Sequence, residues 1–249
     1  MNKITFLLLL FIPALVFGQN DYVLEKKETL KIKKRDKVGV LSHKFSVELF
    51  FNLGVEENKS VPSGFVDSLN KHVNVNINGG NAIGAACTYQ LNNKIDIELG
   101  YNYVASGMEA GYFKNGYGCF ERNIITPIIS YSPLSYKNIT LKFKGGINYA
   151  FTNKIIVDFD LPIGKTKIVY DYGKSTGFLL ASELKFRTNK KLSPKAGVLY
   201  TWNNYDLTNG AVNGQKINPV QIPVNTQNFK SSSVYVYFSL AFNFSIDEK

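Results

Sequence analysis

The sequence predicts an all-β protein, an eight-stranded antiparallel up-and-down transmembrane β-barrel. Three observations carry the prediction. Eight segments alternate apolar and polar residues with a period of two. The connections between them are alternately long and short. The apolar faces end in aromatic residues at both ends of the ribbons. Successive side chains of a strand point to opposite faces, so each segment is a ribbon with one apolar side. A soluble sandwich also makes such ribbons; the aromatic belts and an apolar leader favour lipid.

The leader is "MNKITFLLLLFIPALVFG", residues 1–18. Lys3 begins it, an apolar run covers Phe6 to Phe17, and Val16 and Gly18 suit a cleavage site. This is the pattern of a signal peptide, with Gln19 as the expected mature N-terminus. The run of twelve residues is short of the roughly 20 that a spanning helix needs. No other stretch comes near that length, so any membrane span must be made of strands closed into a barrel. Residues 19–44 form an expected basic tail. Within residues 25–44 stand eight Lys or Arg against three acids, half of the chain's net charge of +10. Export argues against nucleic acid as the partner of this charge, and a solvated tail is the expectation.

The first ribbon, "FSVELFFNLGV", sets Phe45, Val47, Leu49, Phe51, Leu53 and Val55 against Ser46, Glu48, Phe50, Asn52 and Gly54. The second, "IGAACTYQL", sets Ile83, Ala85, Cys87, Tyr89 and Leu91 against Gly84, Ala86, Thr88 and Gln90. The third is "IDIELGYNY", with Asp96, Glu98, Gly100 and Asn102 on its polar face. The fourth, "RNIITPIISY" at residues 122–131, has an ambiguous phase and contains Pro127. The fifth, "ITLKFKGGINYAF", opposes Thr140, Lys142, Lys144 and Asn148 to an apolar face. The sixth and seventh, "FLLASELKFR" and "KAGVLYTWN", carry Glu183, Lys185 and Arg187, then Lys195, Gly197 and Thr201, on their polar faces. The last, "SVYVYFSLAFNF", ends at Phe244 with "SIDEK" beyond it, so the barrel is expected over residues 45–244 and a short tail over 245–249.

Short connections fall at residues 92–94, 132–138 and 188–194, and long ones follow the odd ribbons. Short turns at one end and long loops at the other mark outer-membrane barrels, with turns and both termini in the periplasm. Tyr101, Tyr103, Tyr149, Phe151, Tyr200 and Trp202 are expected to form a girdle at the loop end. Phe45, Tyr89, Tyr131, Phe186 and Phe244 form the girdle at the turn end.

The chain resembles the small eight-stranded outer-membrane barrels of the OmpA/OmpX type over residues 45–244. The signal ending "VFGQ" and the strand "KGGINY" are similar to those of short outer-membrane barrels of Bacteroidota. The terminal aromatic Phe244 is similar to the signal by which such barrels are recognised, although "SIDEK" follows it. The resemblance implies residence in the cell outer membrane, with its lipids and the barrel-assembly machinery as partners. It names no surface ligand.

Eight strands enclose an interior just wide enough for side chains to fill. Glu48, Asp96, Glu98, Lys142, Lys144, Glu183 and Lys185 are therefore expected as an internal salt-bridge network. Inward glycines, Gly54, Gly84, Gly100, Gly146, Gly177 and Gly197, are expected to leave space for water, which keeps a narrow channel open as an alternative. A catalytic role is not expected. His43 precedes the first ribbon, and His72 with Asp67 and Ser68 lies in a long loop, which does not hold a triad. Asp158, Asp160 and Asp171 fall on one outer ribbon, where a divalent cation is the alternative and a solvated face the simpler expectation; no metal and no cofactor is predicted. The expected role is structural or interactive, presenting loops at the surface. A porin-like channel and a subunit of an export machine are the alternatives.

Three finer expectations complete the reading. Cys87 and Cys119 are free thiols, with Cys87 facing lipid, because strands two apart stand about 10 Å from one another and a disulfide needs Cα atoms within about 7 Å. Residues 154–172 prolong the fifth and sixth ribbons into a hairpin beyond the membrane rather than adding two spans. Folding that hairpin about Pro162–Ile163 places Ile147 opposite Phe178 and Lys142 opposite Glu183, in salt-bridge reach; a bulge at Thr152–Asn153 would shift that register by a residue or two.

Overall fold

The computed structural model describes residues 45–56, 59–66, 72–109, 117–136, 138–161, 164–188, 191–217 and 228–244, all within one compact unit. The leader, the basic tail, the terminal "SIDEK" and the hairpin tip at residues 162–163 lie outside the described residues. The described residues form eleven strands, β1 (Phe45–Glu56), β2 (Lys59–Val66), β3 (His72–Gln90), β4 (Ile95–Glu109), β5 (Tyr117–Tyr136) and β6 (Ile139–Leu161) in the first half. β7 (Gly164–Tyr172), β8 (Ser175–Phe186), β9 (Leu192–Val212), β10 (Gln215–Ile217) and β11 (Asn228–Phe244) complete them.

Eight of these close a ring. Its order is β1, β3, β4, β5, β6, β8, β9 and β11, every neighbour antiparallel, and β11 returns to β1 with Phe45 opposite Phe244. The eight ribbons of the sequence are these eight strands. β2, β7 and β10 belong to the loop end, where they pair with β3, with β6 and β9, and with β9.

The outer wall is apolar and bare. Leu49, Ile83, Ile129 and Ile147 are each about 60% exposed, between 58% and 65%. Large apolar side chains left so open around a whole ring have lipid as their solvent, and a closed ring leaves no strand edge in it. The protein is a transmembrane β-barrel. All eleven expected girdle aromatics lie on this outer wall. Phe45 meets Phe244 at 6.1 Å between ring centroids at the turn end. At the loop end Tyr101 lies 6.5 Å from Phe151, and Trp202 stacks on Phe178 at 5.6 Å.

The hairpin from β6 into β7 and β8 has the predicted register. Ile139 faces Phe186, Leu141 faces Leu184, Lys142 faces Glu183 and Ile147 faces Phe178. Beyond the girdle β6 pairs with β7 instead, Asn153 with Tyr172 through Leu161 with Gly164. These nine pairs carry the hairpin about 30 Å farther, at roughly 3.3 Å per residue. The bulge is there, but it leaves this register untouched. Below it Asn148 and Ala150 point inward; above it Asn153, Ile155 and Val157 do. The opposing strand turns over at the same height, between Tyr172 and Ser175. The two irregularities compensate each other, and the slip appears only against β5, between Asn123 and Ile124.

The phase that the fourth ribbon hides is set by its neighbours. β5 turns Phe120, Arg122, Ile124, Thr126, Ile128 and Ser130 inward, and Pro127 faces out opposite Leu99. Lacking an N–H, Pro127 forgoes a ladder hydrogen bond inside a closed ring.

Candidate functional site

The interior has two storeys, and the lower one is ionic. Alternation on β1, β4, β6, β8 and β9 brings Glu48, Asp96, Glu98, Lys142, Lys144, Glu183 and Lys195 into the lumen, each at most 7% exposed. Lys144 Nζ lies 2.6 Å from Glu183 Oε2 and 3.1 Å from Glu98 Oε2. Lys195 pairs with Glu48 and stands 3.8 Å from Glu183 Oε1. Tyr237 donates its hydroxyl to Glu183 Oε2 at 2.8 Å, and the Lys144 ammonium sits 5.7 Å from the centre of the Tyr237 ring. Half-buried Lys185 completes the group at the turn end. Four carboxylates thus meet four ammoniums.

One expected pair is not made. Lys142 is directly opposite Glu183 in register but bonds Asp96 instead. Glu183 already receives Lys144 and Lys195, and no other cation of the described residues lies within ion-pair distance of Asp96, so Lys142 turns to the carboxylate that balances it. Lys195 belongs to the network although it is not among the seven expected charges; it stands on the polar phase of its ribbon next to Gly197. Arg122 is the other addition. It is 1% exposed, donates to Ser106 Oγ at 2.6 Å and lies 4.5 Å above the Phe120 ring. The ambiguous phase of β5 concealed it.

The inward glycines do the reverse of what the sequence suggests. A Cβ at Gly54 would strike the Tyr235 ring, one at Gly84 the Phe50 ring, and one at Gly197 the Tyr237 ring. One at Gly177 would strike Asn203, and one at Gly146 would come within 2.7 Å of the Pro127 carbonyl. These glycines make room for neighbours, not for water. Only Gly100 of the six has ordinary clearance, its nearest neighbour being Thr126 O at 3.7 Å. Among the described residues two small lumen cavities, of about 40 Å³ and about 20 Å³, are both lined by Asn52 and Asn102. They have room for a few waters and not for a larger solute. The Oδ1 atoms of Asn52 and Asn102 have no protein partner among the described residues.

The upper storey is aromatic. Phe120 packs edge-on against Tyr205 at 5.1 Å and Tyr172 at 6.3 Å, with Ile155, Val157 and Ile168 around them, all at most 4% exposed. This core lies in the strand extensions above the loop-end girdle. Burial there pushes the Tyr170 hydroxyl up to about 12 and raises that of Tyr172, which Tyr170 also opposes.

The outer face of the extension is a charge ladder. Asp158 stands opposite Lys167, Asp160 opposite Lys165 and Asp171 opposite Lys154, the last pair at 3.7 Å. The three aspartates therefore do not converge, and among the described residues no group of three or more His, Cys, Asp or Glu side chains is placed to hold a metal. His43, Asp67 and Ser68 lie outside the described residues, and His72 opens β3.

No protein-family model matches the chain, and no curated protein does. Among solved structures it is similar to the outer membrane protein OprG from Pseudomonas aeruginosa, at 15% identity and a TM-score of 0.48, covering 81% of this chain and 96% of that one. It is similar to Neisserial surface protein A at 11% identity and 0.45, covering 81% and 97%. Ail, the attachment invasion locus protein of Yersinia pestis, follows at 10% and 0.44, covering 80% and 97%. Likenesses at this level leave the role of the barrel to its own residues.

Proposed function

We propose that this barrel is a small outer-membrane protein that does not conduct and that acts through the sheet and loops it presents beyond the membrane. The filled lumen carries this reading. A neutral ion-pair network occupies the lower half and an aromatic core the upper, and five of six inward glycines are filled by neighbouring groups. The long outer strands, with a folded core of their own, are more than loops that join spans. The signal-like leader supports export, and the terminal Phe244 supports assembly by the barrel-assembly machinery. Among the described residues no grouping of His, Cys, Asp and Glu supports a metal-dependent reaction.

The two cavities are the one observation that favours a narrow channel instead. Planar-bilayer recording separates the two readings. The reconstituted protein should give no stepwise conductance at neutral pH. Reproducible single-channel steps from folded protein would establish the channel and end this proposal. Co-purification in mild detergent checks the remaining alternative, a place in an export machine.

A further inference from the structure

Charge is distributed unevenly between the ends of the barrel. The outer segments, residues 56–71, 109–121, 153–174 and 206–230, carry nine lysines and nine carboxylates. The lumen network is balanced apart from Arg122. The three turns at the other end are not balanced. They contain Lys94, Arg187 and Lys191, and the sequence adds Lys137 and Lys190, with no Asp or Glu in any of them. Together with the N-terminal segment, these turns hold the whole cationic excess of the chain.

The turns also form one continuous rim. Ser132 N donates to Lys94 O at 2.7 Å, Arg187 N to Asn138 O at 2.7 Å, and Asn243 N to Lys191 O at 2.8 Å. Backbone hydrogen bonds thus tie each turn to the strand or turn beside it and hold the backbone at Lys94, Arg187 and Lys191 in place. Their height is fixed as well. Arg187 follows the girdle residue Phe186 directly, and Lys94 lies just past Tyr89 at the turn between β3 and β4. Girdle aromatics sit at headgroup level. Lys94 and Lys191 are exposed there and Arg187 is half-buried.

We infer that this rim binds anionic phospholipid headgroups of the leaflet at the turn end. Cations at the depth of lipid phosphates, in turns that hold no acid of their own, attract an anionic surface by about 1 kcal/mol each, or about fivefold; the terminal segment beyond Phe244 adds Asp247 and Glu248 against Lys249. An acidic protein partner would place its charge below the rim in water, where ions screen it beyond about 10 Å. Headgroup phosphates lie beside the cations.

The test uses the full chain in vesicles with spin-labelled phosphatidylglycerol or phosphatidylcholine as the reporting lipid. Wild type should select phosphatidylglycerol severalfold, and 0.5 M salt should remove most of that selectivity. The triple variant Lys94→Gln, Arg187→Gln, Lys191→Gln should lose most of it at low salt. The control Lys154→Gln, Lys165→Gln, Lys167→Gln, on the outer sheet, should keep it. Gel mobility before and after heating verifies that each variant is a closed barrel; if the rim variant is not, the salt response of wild type and the single variant Lys191→Gln decide. Equal affinity of wild type for the two lipids, or undiminished selectivity in the rim variant, overturns the inference. So does selective binding of soluble polyglutamate in place of the lipid, which would assign the rim to an acidic macromolecule.

Discussion

Glu183→Gln is the substitution with the largest predicted effect on stability. Glu183 is 1% exposed and touches Lys144, Lys195 and Tyr237. Glutamine keeps the shape and some hydrogen bonding but leaves the lumen one positive charge in excess. Breaking a buried pair by removing one partner costs about 3–5 kcal/mol, because the other charge stays buried without compensation. Lys144 keeps Glu98 and Lys195 keeps Glu48, so the lower end of that range, about 3 kcal/mol, applies here. Lys144→Gln should cost a similar amount. The double variant restores neutrality and should cost less than the two singles combined, by about 1–3 kcal/mol. Lys154→Gln is the control. Its pair with Asp171 spans 3.7 Å between side chains that are 46% and 37% exposed, and its loss should cost less than about 1 kcal/mol. The assay is equilibrium unfolding in guanidinium with lipid vesicles, followed through Trp202, the single tryptophan of the chain. Glu183→Gln within 0.5 kcal/mol of wild type, or strict additivity in the double variant, would refute a coupled network.

Other expectations follow from the same geometry. Gly84→Ala should destabilise by about 1–3 kcal/mol because Phe50 fills its space, whereas Gly100→Ala should be neutral or slightly stabilising in the same unfolding assay. Tyr170 keeps its proton in the folded state up to about pH 12, while in the unfolded chain it ionises near the ordinary tyrosine value of 10. A raised folded pKa means full stability below pH 10 and a loss between pH 10 and 12; absorbance at 295 nm should show Tyr170 ionising late, and a complete titration by pH 11 without unfolding would contradict its burial. Cys87 should react with a lipid-soluble maleimide, and Cys119, buried with its thiol pKa raised by that burial, should stay unreacted in the folded protein, as mass spectrometry reads directly. Trp202 fluorescence should be quenched more by lipids brominated near the headgroup than by those brominated near the bilayer centre.

How much of this was legible in the sequence depends on contrast between the two faces. Where lipid lies on one side and charge on the other, period two specifies both phase and register, as for Lys142 against Glu183. In β5 isoleucine stands on both faces, Ile124 and Ile128 inward, Ile125 and Ile129 outward, so periodicity alone could not find Arg122. The start of β3 shows a different limit. "HVNVNINGG" alternates valine and isoleucine with asparagine, yet it precedes the lipid-facing ribbon and reads as loop if spans alone are sought. The glycines were visible but their meaning was not, because it depends on rings from strands far away in sequence. Partner choice in the network failed for a related reason: register gives the nearest residue on the next strand, while charge balance is decided across the lumen.

The paired bulge between β6 and the β7–β8 strand has a consequence for how such a chain can vary. Both strands turn over at the same height, so neither loses its partner and the membrane wall below is indifferent to what stands above. Phe151 and Thr152 on one side, Gly173 and Lys174 on the other, mark a joint. A segment spliced in between them meets three requirements: it must return as a hairpin, it must present apolar side chains to the inner face, and its edges must pair with β5 and β9. Growth or loss of the outer hairpin in steps of two residues per strand would keep all three. The tower can therefore be remodelled by recombination at the joint while the spanning half of the barrel stays the same.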